Sequence, residues 1–291
     1  MGPNIPPLLA QLLHNRGITD PLSAEVFLAA DRRLENDFSL LPEIEKAVAR
    51  IIRAIFNSET IAVFGDFDAD GVTSAALLVQ GLKQMGGKVI NYIPHRVDEG
   101  HGLNVAALQS LRRQGASLVV TVDCGITANA EAEQASEMGL DLVITDHHEV
   151  TGPIPKALAV VDPKRADSKY PCRDLAGVGV AFKLLQALFK ATGRNGQADA
   201  FLDLVALGTV ADMAPLVGEN RYLVKRGLEV LNVTDRPGIR AMLSLAGKEI
   251  GQLDAQTISY ALAPRLNAAG RLDHAAISYD LLIADSVEES R

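Results

Sequence analysis

In Thr60-Ile61-Ala62-Val63-Phe64-Gly65-Asp66-Phe67-Asp68-Ala69-Asp70-Gly71, an apolar, β-branched run stops abruptly at three aspartates spaced two apart. Two further runs end in the same way: Leu118-Val119-Val120-Thr121-Val122 at Asp123, and Leu142-Val143-Ile144-Thr145 at Asp146-His147-His148. Short runs of this type read as strands buried on both faces of a parallel sheet. In an open parallel sheet the carboxyl ends of the strands open onto one crevice, so acidic residues far apart in sequence are expected to meet there. Carboxylates gathered in this way repel one another unless a cation lies between them. The two neighbouring imidazoles point to a metal.

Outward from these runs, strands are expected near Ile61–Phe64, Val89–Ile93, Leu118–Val122, Leu142–Thr145 and Ala159–Val161. Helices are expected near Val72–Met85, Val105–Gln114 and Ala128–Met138. The alternation predicts an α/β fold with a doubly wound, mainly parallel sheet. Before it, Leu8, Leu9, Leu12 and Leu13, then Ala24–Ala30 and Ile44–Ile55, carry helical spacing and predict an N-terminal helical cap over residues 1–58. The α/β unit takes in 59–215, closing with the buried helical stretches Val180–Ala191 and Ala198–Val210. A helical extension follows over 216–291, where Val287-Glu288-Glu289-Ser290-Arg291 carries no helix stop signal, as a truncated chain would show.

With 291 residues, 48% of them hydrophobic, the chain can bury a large sheet and part of a second unit. The 28 basic and 36 acidic residues give a net charge of −8, which argues against a basic coat for nucleic acid but leaves room for a local basic channel. Cys124 and Cys172 lack CxxC spacing, so neither a disulfide framework nor a zinc knuckle is indicated and a reducing compartment is expected. No stretch approaches the roughly 20 apolar residues of a membrane span, and a cytoplasmic protein without a membrane partner is expected.

Asp66, Asp68 and Asp70 alternate along what an extended strand end would make one face, with Gly71 turning into a helix from Val72. Helix capping alone would use fewer carboxylates. An EF-hand fails because Leu77 stands at the twelfth loop position, where a Glu is required. Oxygen ligands with one or two imidazoles suit Mn2+ or Mg2+ better than zinc. Two such ions would clamp a phosphoryl group, so hydrolysis of a phosphate ester or anhydride is implied. Asp212 lies within an apolar run and reads equally as a ligand or as the N-cap of a following turn. Pro264-Arg265-Leu266-Asn267-Ala268-Ala269-Gly270-Arg271 reads as a phosphate-holding segment or a solvated helix end, and Gly177-Val178-Gly179 lacks the third glycine of a dinucleotide fold.

Together these residues resemble the DHH phosphoesterase superfamily, named for the tripeptide at 146–148. Gly65–Ser74, Val122–Gly125 and Thr145–Glu149 resemble its first motifs. Leu13–Ile18, Ile93–Arg96 with Glu99–Asn104, Gly177–Lys183, Gly208–Asp212 and Arg265–Arg271 resemble its bacterial single-strand-specific exonucleases. The resemblance implies a DHH domain at 59–215, with Asp70, Asp123, His147 and Asp212 on one ion and Asp66, Asp68 and a bridging Asp123 on a second. Asp68, Asp70, Asp123, His147 and His148 would be catalytic, and His148, Arg96, Arg265, Asn267 and Arg271 would contact phosphate or DNA. It also implies 5′-to-3′ digestion of single-stranded DNA to mononucleotides in recombination and repair. A helicase and a single-strand-binding protein would be partners of the full-length form. Residues 216–291 would begin the linker to a missing C-terminal domain, leaving a core with weakened binding and processivity. His101 stands where an aromatic residue is expected, and Asp162 where Asn is common.

Rival readings are a DHH nanoRNase, nucleotide phosphatase or manganese pyrophosphatase, separable by substrate size, and a metal-free replication scaffold, separable by manganese binding. A phosphoacceptor receiver would leave His147-His148 and the helical C-terminal half without a purpose.

Overall fold

The computed structural model describes residues 5–96, 98–272 and 274–290; residues 1–4 and 291, at the ends of the outermost expected segments, lie outside them. Helices α1 (Pro7–His14), α2 (Pro21–Ala29) and α3 (Ile44–Phe56) precede the sheet. Asp20 caps α2 by accepting the Ser23 N–H. Ile44, Ala47, Ile51 and Ala54 form the buried stripe of α3, which packs on the sheet and on the later helix at 177–191.

The alternating part follows as β1 (Thr60–Gly65), α4 (Ala69–Gln84), β2 (Lys88–Tyr92), α5 (Val105–Arg113), β3 (Ala116–Val122), α6 (Asn129–Glu137), β4 (Asp141–Thr145) and β5 (Ala159–Val161). Strand order is β2-β1-β3-β4-β5, and every pairing is parallel. The two-residue period of a strand divides the core. Ile61, Val63, Leu118, Val120 and Val143 join an apolar cluster with α3 and α4 on one face, while Ala62, Phe64, Val119 and Ile144 pack with α5 and α6 on the other. The doubly wound α/β expectation is therefore met. Because the chain leaves β1 for the edge strand β2 and returns to β3, the topology switches between β1 and β3, where a crevice opens.

Beyond the sheet come α7 (Gly177–Ala191), α8 (Leu202–Ala211), α9 (Gly218–Leu231), α10 (Pro237–Leu245), the short α11 (Ala255–Thr257), a π turn at Ile258–Leu262, α12 (Ala263–Leu272) and α13 (Ala276–Ile283). The same apolar cluster extends without a break to Leu282. A fully buried Lys183–Glu219 ion pair of 2.6 Å links α7 to α9. Asn36 donates to Glu219 from its backbone and its side chain, both at 3.0 Å, so the N-terminal segment is tied to the same pair. Among the described residues no helix is long and apolar enough to cross a membrane.

Two helices begin three residues before the positions expected from sequence. α4 starts at Ala69 rather than Val72, because Asp68 caps it by accepting the Asp70 and Gly71 N–H groups at 2.9 and 3.0 Å. Gly71 is thus helical and makes no sharp turn; it is needed because a Cβ there would lie 2.4 Å from the Asp66 carbonyl oxygen. α7 starts at Gly177 rather than Val180 because its exposed amides find a carboxylate from a distant part of the chain. Gly177 and Val178 donate to Asp70 at 2.7 and 2.9 Å.

Candidate metal centre

The switch point supplies the site. Asp66 follows β1, Asp68 caps α4, Asp70 lies in the first turn of α4, Asp123 follows β3, and His147 and His148 follow β4. Asp212 reaches the same crevice as the C-cap residue of α8, not as the N-cap of a following turn. A carboxylate at the negative end of a helix is unfavourable without a cation nearby. The three aspartates of the first motif do not share one face as an extended strand would place them. The start of α4 splits them between two sets.

Ligand atoms gather within 4.8 Å in three overlapping groups: Asp66, Asp68 and Asp123; Asp70, His147 and Asp212; and Asp123, His147 and His148. His147 Nε2 lies 3.0 Å from Asp123 Oδ1 and 3.8 Å from Asp70 Oδ2, while its Nδ1 lies 3.9 Å from Asp212 Oδ2. Asp66 Oδ1, Asp123 Oδ1 and His147 Nε2 are buried without a hydrogen bond, although the last two lie 3.0 Å apart. Buried polar atoms left unpaired and aimed at a common space are costly unless a cation satisfies them. The donor set is rich in carboxylate oxygen with one or two imidazoles, so it fits Mn2+ or Mg2+.

Electrostatics agree with that fit. Burial, then the charge of Asp68, pushes Asp66 up to about 6. Burial and Asp68 likewise push Asp212 up to about 6. Asp70 and Asp123 are raised well above the usual carboxylate range, first by burial and then by Asp212 and Asp70 respectively. His147 is pushed down to about 4, first by burial and then by His148, which keeps it neutral as a ligand must be. Metal-free, these carboxylates resist ionising together; a dication removes that penalty.

Several positioning residues escaped the sequence reading. Asp146, the first residue of the tripeptide, accepts from the Ile126, His147 and His148 amides at 2.8, 2.7 and 3.1 Å and lies 2.7 Å from His148 Nδ1. It shapes both loops instead of facing the ligand groups, and its hydrogen bond pushes His148 up to about 9. Gly177 leaves room for a ligand: a Cβ there would lie 2.6 Å from both Cβ and Oδ1 of Asp123. A Cβ on Gly208 would lie 2.7 Å from Asp70 Oδ1. In the sequence both glycines open motifs of the family resemblance, Gly177–Lys183 and Gly208–Asp212, with no role attached to the glycines themselves.

The expected phosphate contacts are dispersed. Arg96 is exposed and lies over the Phe67 ring, 5.0 Å from its centroid, while His101 packs on the same ring at 4.5 Å. The smaller imidazole at 101 thus still makes an aromatic contact. Asn267 accepts the Ala69 N–H at 2.8 Å, so its oxygen holds the head of α4. Arg271 is exposed on the groove that Asn267 lines. Arg265 lies apart, in a different groove with Lys248 and Glu249.

A pH-dependent stabilisation by metal is expected. Asp66 and Asp212 titrate near 6 in the metal-free fold against an ordinary 3.8. The fold therefore holds more protons than the unfolded chain across that interval, and the contribution of these groups to stability falls as pH rises through it. Mn2+ at 100 times its Kd should add about 2.7 kcal/mol. It should raise Tm more near pH 7.5 than near pH 5, because at the lower pH it must displace protons. Thermal unfolding with and without Mn2+ checks this; an equal shift at both pH values would mean that these carboxylates do not ligate.

Comparison with known proteins matches the geometry. The family model described as "DHH family, N-terminal domain" matches residues 60–209. The chain is 42% identical over 288 residues to the single-stranded-DNA-specific exonuclease RecJ of Bacillus subtilis, covering 99% of this chain and 36% of that protein. Against the Escherichia coli exonuclease of the same name, identity is 38%, covering 99% of this chain and 51% of that protein. The chain thus spans between about a third and a half of these relatives. A manganese-bound crystal structure of exonuclease RecJ superimposes with a TM-score of 0.79 at 38% identity, over 86% of this chain and 63% of that one. RecJ of Thermus thermophilus with Mn2+ gives 0.80 at 34% identity, over 96% of this chain and 39% of that one. With three motifs at the strand ends and a family match that spans them, the chain belongs to the DHH family.

Proposed function

We propose that this chain is the catalytic core of a metal-dependent exonuclease that hydrolyses single-stranded DNA 5′-to-3′ to mononucleotides. The observation that carries the reading is the position of Asp123 in both an all-carboxylate set and a set with His147, beside the Asp70, His147 and Asp212 set. Similarity to RecJ proteins over 99% of the chain supports the choice of DNA over small phosphate substrates. Asp66, Asp68 and Asp123 would hold one divalent cation, and Asp70, Asp123, His147 and Asp212 the other. Bound Mn2+ or Mg2+ supplies Lewis-acid activation of the phosphodiester and of water, and charge stabilisation of the leaving oxygen.

The remaining roles fall to the protein. His148, held by Asp146 and charged at neutral pH, would bind a phosphate oxygen. Arg96, fixed on Phe67, would hold a phosphate from the other side, with Asn267, Arg271 and Arg265 along the strand. Residues 216–291 would lead toward a further binding unit. A helicase and a single-strand-binding protein would supply unwound substrate in the cytoplasm.

The test is Mn2+-dependent digestion of single-stranded DNA labelled at its 5′ end. Early release of labelled mononucleotide is expected. Cleavage restricted to dinucleotides or pyrophosphate would move the chain to the small-substrate members of its family and sink the exonuclease reading.

A further inference from the structure

A groove of about 530 Å³ runs beside the metal centre, with Ala211, Met213, Tyr260, Asn267 and Arg271 on its walls. Its walls adjoin that centre at two points. Asp212 lies between Ala211 and Met213, and Asn267 is bonded to the head of α4 beside Asp68. Two large side chains along it face solvent: Tyr260 is 82% exposed and Met213 is 86% exposed. Met213 has a left-handed φ of +58°, which turns the chain sharply just after Asp212. Tyr260 stands on the π turn at Ile258–Leu262, whose wider register offsets the faces of the helix before and after it. Among the described residues, Arg271 is the one charged residue lining the groove.

An exposed aromatic ring, an apolar edge and a cation beside a carboxylate centre suit a ligand with a flat face and a negative backbone. We propose that this groove is a nucleobase-stacking subsite, with Tyr260 as the platform, Met213 as the opposing edge and Arg271 as the counter-charge for the adjoining phosphodiester. This rests on the reading of the chain as a nuclease of single-stranded DNA. Every base has a π face, so such a platform grips a strand without selecting its sequence, as an enzyme degrading any strand requires. Its place next to the cluster sets its task, which is to hold a nucleotide neighbouring the phosphodiester under attack. Tyr260 acts in binding and not on the reacting atoms.

The test compares parent, Tyr260→Ala and Tyr260→Phe on Mn2+-dependent digestion of single-stranded oligonucleotides. The ring is exposed, so the substitutions leave the core intact. Tyr260→Ala should raise KM roughly 5- to 100-fold, the cost of losing one stacked base, with kcat little changed. Tyr260→Phe should match the parent, since stacking needs the ring and not the hydroxyl.

Oligonucleotides carrying one abasic residue at successive positions give the decisive readout. The parent should show a KM penalty at one position, and Tyr260→Ala should lose that penalty. Normal KM for Tyr260→Ala on digested DNA would overturn the subsite alone. So would an unaltered abasic profile, the result expected if the ridge docks a polypeptide. A parent that cleaves only small phosphate substrates would overturn the nuclease reading and the subsite with it.

Discussion

Asp123→Ala is expected to lower kcat by three orders of magnitude or more, roughly 4 kcal/mol of transition-state stabilisation. Asp123 alone among the carboxylates belongs to two of the three ligand groups found among the described residues, and its Oδ1 is buried without a hydrogen bond, so no neighbouring carboxylate takes its place. If Asp123 bridges two ions as proposed, its loss disables both positions at once. Arg96→Ala removes an exposed group and should cost about tenfold, the scale of one charge-assisted phosphate contact. Folding should survive the loss of Asp123, because burial and its neighbours already disfavour its charged form. Alanine would be strained at the left-handed φ of +60°, so Asp123→Asn is the companion that keeps both shape and backbone tolerance. Single-turnover digestion with Mn2+ titration checks both variants. Parent-like turnover by Asp123→Asn would rule out a bridging carboxylate.

The second large effect is expected at a residue with no functional group. Gly177→Ala should weaken Mn2+ binding by about 10- to 100-fold, the range seen when the supports of metal ligands are removed. The new Cβ would sit 2.6 Å from the Asp123 carboxylate, and this side chain is itself walled in. It cannot move without leaving its ligand group. The Gly177 amide also donates to Asp70, so a shift of α7 would disturb the second group as well. Stability should fall by no more than about 1–3 kcal/mol, the usual cost of overpacking. Isothermal titration with Mn2+, beside circular dichroism as the folding control, separates a lost site from a lost fold. Unchanged Mn2+ affinity in a folded variant would refute the spacer role.

How much could be read from sequence differs from one motif to the next, for physical reasons. The strand ends at Gly65, Val122 and Thr145 were legible to within a residue because β-branched runs and the aspartates after them are local signals. The start of α7 was not, since the groups that satisfy its first amides belong to Asp70, more than a hundred residues earlier. Asp146 carries no assigned role in the sequence, and only its amide partners reveal a scaffolding one. Tyr260 carries no local signal of exposure. One tyrosine in an apolar helix reads as core until the tertiary packing leaves it outside.

By itself, the sequence determined the α/β class, the parallel sheet and the chemical type of the site, because strand periodicity and the residue types at strand ends are properties of short segments. Family resemblance implied the division of the carboxylates and the place of Asp212; tertiary structure decided the distances within each group, that Asp212 arrives from the negative end of α8, and which glycines hold space open. Those outcomes depend on distances between segments distant in the chain. Burial and mutual repulsion, which set the charge state of the centre, arise only when the segments meet.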